Sequence, residues 1–248
     1  MHFESLPAVS DRWQIHHKTI TESTNLDARA GRPGEVFTAD EQTAGRGRLD
    51  HTWESQAGAN LMFSAVIDVA DLEPLHVVTL PLVMGLAVSE VIVRKCPRQA
   101  VAIKWPNDVL VDGRKIAGIL CERVGDVVIA GVGVNVKQTE FPAELRGRAT
   151  SLACEGVATE PAMVLSAVLS MFDSLQKIWR LRGFAALQAQ FAARDFLKGR
   201  NVRVLRTDDD TEPVSGLCEG VQADGTLRVA GETVYAGEAH VQQFETKT

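Results

Sequence analysis

An α+β fold is expected from this sequence: a sheet flanked by helices, then a small β-barrel. Three observations predict it. AVAIKW, VLV, KIAGILCERV and VVIAGVGVNV, joined by WPND, DG and GD turns, read as a meander of antiparallel strands. From residue 161 onward, two stretches carry helical periodicity. After Gly199 come short strands separated by Asp, Gly and Glu, with the size and spacing of a small β-barrel.

In chain order, WQIHHKTI (13–20) reads as a strand, and ESTNLDARA follows with Ser23 or Thr24 placed to cap a short helix. EVFTADEQTAGRGRLDHTWES is a strand running into a polar, glycine-bearing loop. LMFSAVIDV is strand-like, and PLHVVTLPLVMGLAVSEVIVRKC has the spacing of a buried helix, in which Pro81 either occupies the first turn or bends the axis. After the meander, PAMVLSAVLSMFDSLQKIWRLRG and FAALQAQFAARDFL are helical, with Pro161 suited to a first turn. NVRVLR, PVSGLCEGV, TLRVA, ETVYA and AHVQQF form the tail. The expected domains are residues 1–197 and 198–248.

Composition bounds the function. The 248 residues, 45% of them hydrophobic, suffice for one large domain and a small one. A net charge of −6 argues against a broad basic surface for nucleic acid. Four scattered cysteines without a CxxC pair suggest reduced thiols in a cytoplasm, not a disulfide frame or zinc site. The start lacks a signal-peptide pattern, and VVTLPLVMGLAV is interrupted and too short for a bilayer, so a soluble cytoplasmic protein without membrane attachment is expected.

Three stretches can carry chemistry. TAGRGRLDHTW alternates glycine and arginine at Gly45, Arg46, Gly47 and Arg48, either as a solvated loop or as a fold around phosphate oxygens. KWPND sets Lys104, Asn107 and Asp108 about a proline turn, where Asn and Asp also serve as ordinary turn formers. The Asp112-Gly113 turn then returns Lys115 beside that strand. Period-two alternation puts Lys115 on one face with Ala117, Ile119 and Cys121, and Ile116, Gly118 and Leu120 on the other. An ammonium there needs an anion; the alternative is a charge guarding a sheet edge. Small Ala117 and Gly118 leave room for a ligand. Trp53 reads as a core or loop anchor from the residues alone. GVGVNV lacks the third glycine and following helix of a dinucleotide fingerprint, and no P-loop occurs. No metal-ligand spacing is discernible.

Taken in order, ESTN, EQTAGRGRLDHTW, GANL, KWPNDVLVDGRKIAGIL and GVGVNV resemble the biotin protein ligases, through most of residues 13–136. The resemblance implies a mixed, largely antiparallel sheet with flanking helices and a C-terminal SH3-like barrel. It implies activation of biotin by ATP, with Mg²⁺, to biotinyl-5′-AMP, then transfer to a lysine of a biotin carboxyl carrier protein. On the same footing, Lys115, Arg48 and Asp108 are catalytic. Ser23, Thr24, Asn25, Gln42, Gly45, Arg46, Lys115 and Gly118 bind biotin, and Arg46, Arg48, Trp53, Lys104, Asn107, Lys115 and Asn135 bind ATP or the adenylate. For Asn135 a strand-end polar role is the rival.

Two departures carry expectations. Relatives often continue GRGR with further basic residues, whereas this chain has Leu49, Asp50 and His51, which implies weaker retention of the intermediate. Only about a dozen residues precede the first strand, too few for a helix-turn-helix domain, so no DNA partner is expected. A homodimer is possible, with the strand ending in GVGVNV offering a pairing edge. The rivals are a lipoate or octanoate ligase, a module that holds biotinyl-AMP without transferring it, and a nucleic-acid binder, which acidic TDDDTE disfavours.

Overall fold

The computed structural model describes residues 12–49, 51–207 and 212–242. Asp50, most of TDDDTE, the first eleven residues and the end of AHVQQF lie outside that range. Seven strands form the main sheet: β1 (Gln14–Thr21), β2 (Glu35–Gln42), β3 (Leu61–Asp68), β4 (Val101–Lys104), β5 (Asp108–Val111), β6 (Arg114–Val124) and β7 (Val127–Val134). Their order is β1-β2-β3-β7-β6-β5-β4. Only β1 and β2 run parallel; the other neighbours are antiparallel, so the sheet is mixed as expected.

Helix α1 (Thr24–Ala28) follows β1, and α2 (Pro74–Val77) and α3 (Leu80–Lys95) follow β3. Pro81 sits in the first turn of α3, where its missing N–H costs no intrahelical bond. The stretch Pro74–Lys95 is long and apolar enough to cross a membrane, yet 72% of its most apolar window is buried within the fold. It is a core helix. Helix α4 (Pro161–Arg182) packs along α3 and stops at Gly183, whose φ of +71° suits glycine. Beyond it the expected second helix is shorter than its periodicity implies, a 3-10 turn (Phe184–Ala186) followed by α5 (Gln188–Ala192).

Alternation partitions the sheet. Phe63, Ala65 and Ile67 of β3 and Ala130, Val132 and Val134 of β7 join the core built with α3 and α4. Intervening residues face the other way, where Val66 and Ile129 pack on Ala28 of α1. Gly118, Gly131 and Gly133 also lie on that second face, with Gly118 paired to Gly133 and Leu120 to Gly131. Three side-chain-free positions leave a hollow.

Strand β7 lies between β3 and β6, so the edge expected of GVGVNV does not exist; hydrogen bonding on both sides occupies it. The edges are β1 and β4. Five further strands, β8 (Asn201–Arg206), β9 (Val214–Val221), β10 (Leu227–Val229), β11 (Glu232–Val234) and β12 (Gly237–Val241), make an antiparallel sheet ordered β11-β10-β9-β8-β12. The Trp105 indole N–H donates to the Gly225 carbonyl at 3.1 Å, joining this sheet to the KWPND turn.

Candidate active site

A β-bulge decides where Lys115 points. Val109 pairs with Ala117 but Leu110 pairs with Lys115, so Ile116 is an extra residue and alternation slips by one. Lys115 therefore shares the open face with Gly118, not with Ala117 and Ile119, which enter the core. The face expected from plain alternation is overturned. A Cβ on Gly118 would lie 3.1 Å from Lys115 Cε and 3.2 Å from the Trp53 ring.

The ammonium has an anion already. Lys115 Nζ lies 2.7 Å from Asp108 Oδ1, with the two side chains 38% and 19% exposed. The hairpin that returns Lys115 beside the KWPND strand brings its own carboxylate, because Asp108 pairs with Gly118 on the same face. Trp53 lies 5.8 Å from the ammonium, measured to its ring centroid. It crosses the glycine floor; a Cβ on Gly133 would meet the indole at 2.4 Å, and the buried indole N–H has no hydrogen-bond partner among the described residues. Trp53 thus roofs the hollow instead of joining the core, while its backbone anchors the loop at Gly45.

Two adjoining cavities open here. The first, about 150 Å³, is lined by Ser23, Thr24, Asn25, Gln42, Arg46, Arg48, Trp53, Lys104, Asn107, Asp108, Lys115 and Gly118. The second, about 760 Å³, shares Trp53, Lys104, Asp108 and Lys115 with the first and adds Asn135, Phe141 and Arg148. Gly45 lines neither. Its place is in the loop, where its carbonyl accepts the Trp53 N–H at 3.0 Å and a Cβ would strike the Trp53 carbonyl oxygen at 2.4 Å.

At the inner end, Ser23 starts α1 without a side-chain cap bond. The Gln42 carbonyl oxygen takes over, accepting the Thr24 N–H at 2.8 Å. Asn25 is 4% exposed and sits over Gly131, where a Cβ would lie 2.1 Å from its Oδ1. Arg46 does not stand free for phosphate: it pairs with Glu122 at 3.5 Å. At the outer end, Arg48 donates to the Gly237 carbonyl of β12 at 3.4 Å, and His51 lies 3.7 Å from Glu238. Burial pulls the Arg48 and Lys104 pKa values down, while Asp108 and Glu238 pull them back up.

Two of the expected ligand-contacting amides also hold the fold together. The Asn107 amide donates to the Ile119 carbonyl at 2.8 Å, holding the turn against β6. The Asn135 amide, which borders the second cavity, commits one of its two N–H groups to the Thr150 carbonyl at 2.9 Å. Residues not foreseen include Ser64, Glu122, Gly131, Gly133 and Glu238. Ser64, a lone hydroxyl in the middle of the apolar run of LMFSAVIDV, and the paired glycines of GVGVNV were visible signals; Glu122 and Glu238 were not.

Residues 15–138 match the model of the biotin/lipoate A/B protein ligase family, and the chain belongs to that family. It is 35% identical over 232 residues to the biotin–[acetyl-CoA-carboxylase] ligase of Mycobacterium tuberculosis, across 89% of this chain and 85% of that one. A biotin protein ligase from Aquifex aeolicus, solved in complex with biotin and ATP, superposes with a TM-score of 0.82 at 29% identity, covering 93% of this chain and 99% of that one. The Leishmania major biotin protein ligase in complex with biotinyl-5-AMP gives a TM-score of 0.64 at 26% identity, covering 93% and 98%. Within the family this chain is a biotin protein ligase, an enzyme.

Proposed function

We propose that this ligase condenses biotin with ATP to biotinyl-5′-AMP and pyrophosphate, then passes the biotinyl group to a lysine of a biotin carboxyl carrier domain. The observation that carries this reading is the Lys115–Asp108 pair, which lines both cavities at their junction. Biotin lies in the inner cavity over the glycine floor, and ATP in the outer one. Mg²⁺ accompanying the nucleotide would supply charge neutralisation to its phosphates.

In the first step a carboxylate oxygen of biotin attacks the α-phosphorus, and the bond to the pyrophosphate oxygen breaks. Two anions must approach, so a cation whose contacts strengthen as charge redistributes lowers the barrier. Lys115 does this by exchanging Asp108 for substrate oxygens. Lys104 and Arg48 add positive potential, and Trp53 with the loop keeps water from the mixed anhydride. In the second step the carrier amine attacks the acyl carbon and AMP leaves. That amine must be neutral, whereas a free lysine is almost wholly protonated at neutral pH. Asp108, released from Lys115, orients the amine and accepts its proton.

Support for the carrier comes from the M. tuberculosis relative, named for acetyl-CoA carboxylase. Pyrophosphate release in the presence of ATP and Mg²⁺, compared between biotin and lipoate, tests the first step; release with lipoate alone overturns it. Transfer of preformed adenylate to a carrier domain tests the second. Asp108→Asn is expected to slow that transfer about 10²-fold, and a native rate removes Asp108 from the step.

A further inference from the structure

Glu122 lies outside the groups given a role so far, yet it joins two parts of the site. It continues the Gly118–Leu120 face of β6 by period two and is 19% exposed. Its carboxylate receives Asn25 Nδ2 at 2.7 Å, Arg29 at 3.2 Å and Arg46 of the glycine-arginine loop at 3.5 Å.

The consequence runs inward through hydrogen-bond polarity. A carboxylate only accepts, so Asn25 must turn its N–H₂ to Glu122 and its oxygen to Ser64. Ser64 is fully buried, 2.6 Å from that oxygen, and gives its single proton there. With the Ser64 proton committed, the Thr24 hydroxyl gives its own single proton either to Ser64 at 2.8 Å or to the Gln42 side-chain oxygen at 3.1 Å. Having donated, Thr24 Oγ1 retains acceptor capacity. The Gln42 oxygen is fixed by the Thr24 N–H at 2.8 Å, which leaves the Gln42 N–H₂ as donor. One donor beside one acceptor complements a cyclic urea, whose carbonyl accepts and whose ring N–H groups donate.

We infer that Glu122 is a positioning residue for ligand recognition: through Asn25, Ser64 and Thr24 it fixes the direction of hydrogen bonding at the buried end, and it ties the Arg46 loop over that end. The inference deepens the biotin-activating reading and rests on it. An ordinary surface ion pair would behave otherwise. Arg29 and Arg46 are about half exposed, and such pairs contribute little on their own; a role confined to them would leave substrate recognition untouched.

The test is steady-state pyrophosphate release by the native protein, Glu122→Gln, Ser64→Ala and the double variant. A glutamine at 122 can present N–H₂ where only an acceptor belongs, and Ser64→Ala breaks the same chain away from the surface. Each single change should raise KM for biotin about tenfold, with KM for ATP and kcat within about threefold of native. The double variant should be no worse than the larger single effect, because both cut one chain. A biotin KM within about twofold of native in either single variant, equal rises for both substrates, or multiplying losses in the double variant would each overturn the inference. Should Glu122→Gln fail to fold, Ser64→Ala decides alone. A native protein that turns over lipoate and not biotin sinks the functional reading instead; biotin titration calorimetry without ATP then carries the same variant comparison, and unchanged affinities overturn the positioning role.

Discussion

At its buried end the cleft is lined by neutral polar side chains, Thr24, Asn25 and Gln42, with fully buried Ser64 behind them, each already hydrogen-bonded to another. At its open end stand Lys115, Asp108, Lys104 and Arg48, all charged and only partly sheltered. Neutral groups in fixed directions discriminate between ligands, because a mismatch strands a buried donor or acceptor. Charges beside solvent can change partners, as a reaction that moves charge requires. Recognition and chemistry are therefore assigned to different materials, joined by the glycine floor.

Perturbing either end should leave the other standing. The largest effect belongs to Lys115→Ala, which should lower kcat for pyrophosphate release about 10³-fold, with biotin affinity by calorimetry little changed. A comparable loss of affinity would show the two ends to be one. Gly131→Ala attacks the recognition end, placing a methyl 2.1 Å from Asn25 Oδ1. It should raise KM for biotin about tenfold, with KM for ATP within about twofold of native; equal rises would blur the division.

Smaller effects sharpen the charged end. Substituting arginine for both Leu49 and His51 should slow escape of the adenylate, followed by hydroxylamine capture, by up to about fivefold, since exposed charges interact weakly. Equal or faster escape contradicts the expected penalty of the less basic loop. Lys104 has its pKa lowered from 10.5 chiefly by burial. The unfolded chain then binds more protons above the folded-state pKa, so stability should rise with pH from there to about 10.5. Lys104→Met should stabilise the fold by less than about 1 kcal/mol at pH 7, and urea titrations should show that gain shrinking as pH approaches 10.5.

Much of this was legible in the sequence because the signals were local. The turns WPND and DG fixed the meander, Pro161 marked a helix start, Pro81 left a first turn and a bend as alternatives, and KWPND with GRGR pointed to the cleft. What failed was parity and neighbourhood. No local pattern announces that Val109 and Leu110 face three residues of β6, so alternation put Lys115 on the wrong face. Likewise β7 reads as an edge until β3 is known to pair beyond it. Glu122 stayed hidden because its meaning depends on Asn25, 97 positions away, and on Arg46, 76 away. Asn107 and Asn135 show the reverse: polar residues in telling motifs whose amides serve neighbouring carbonyls.

The apolar helix α3 lies on β4, β5 and β6 along one flank and is covered along another by α4, which arrives more than sixty residues later in the chain. During synthesis, or in any fragment ending before Pro161, that second flank would be bare. Such a segment seeks detergent, lipid or another copy of itself. Shortened versions of this enzyme should accordingly partition into micelles or precipitate, and that behaviour would reflect a missing cover, not a membrane protein.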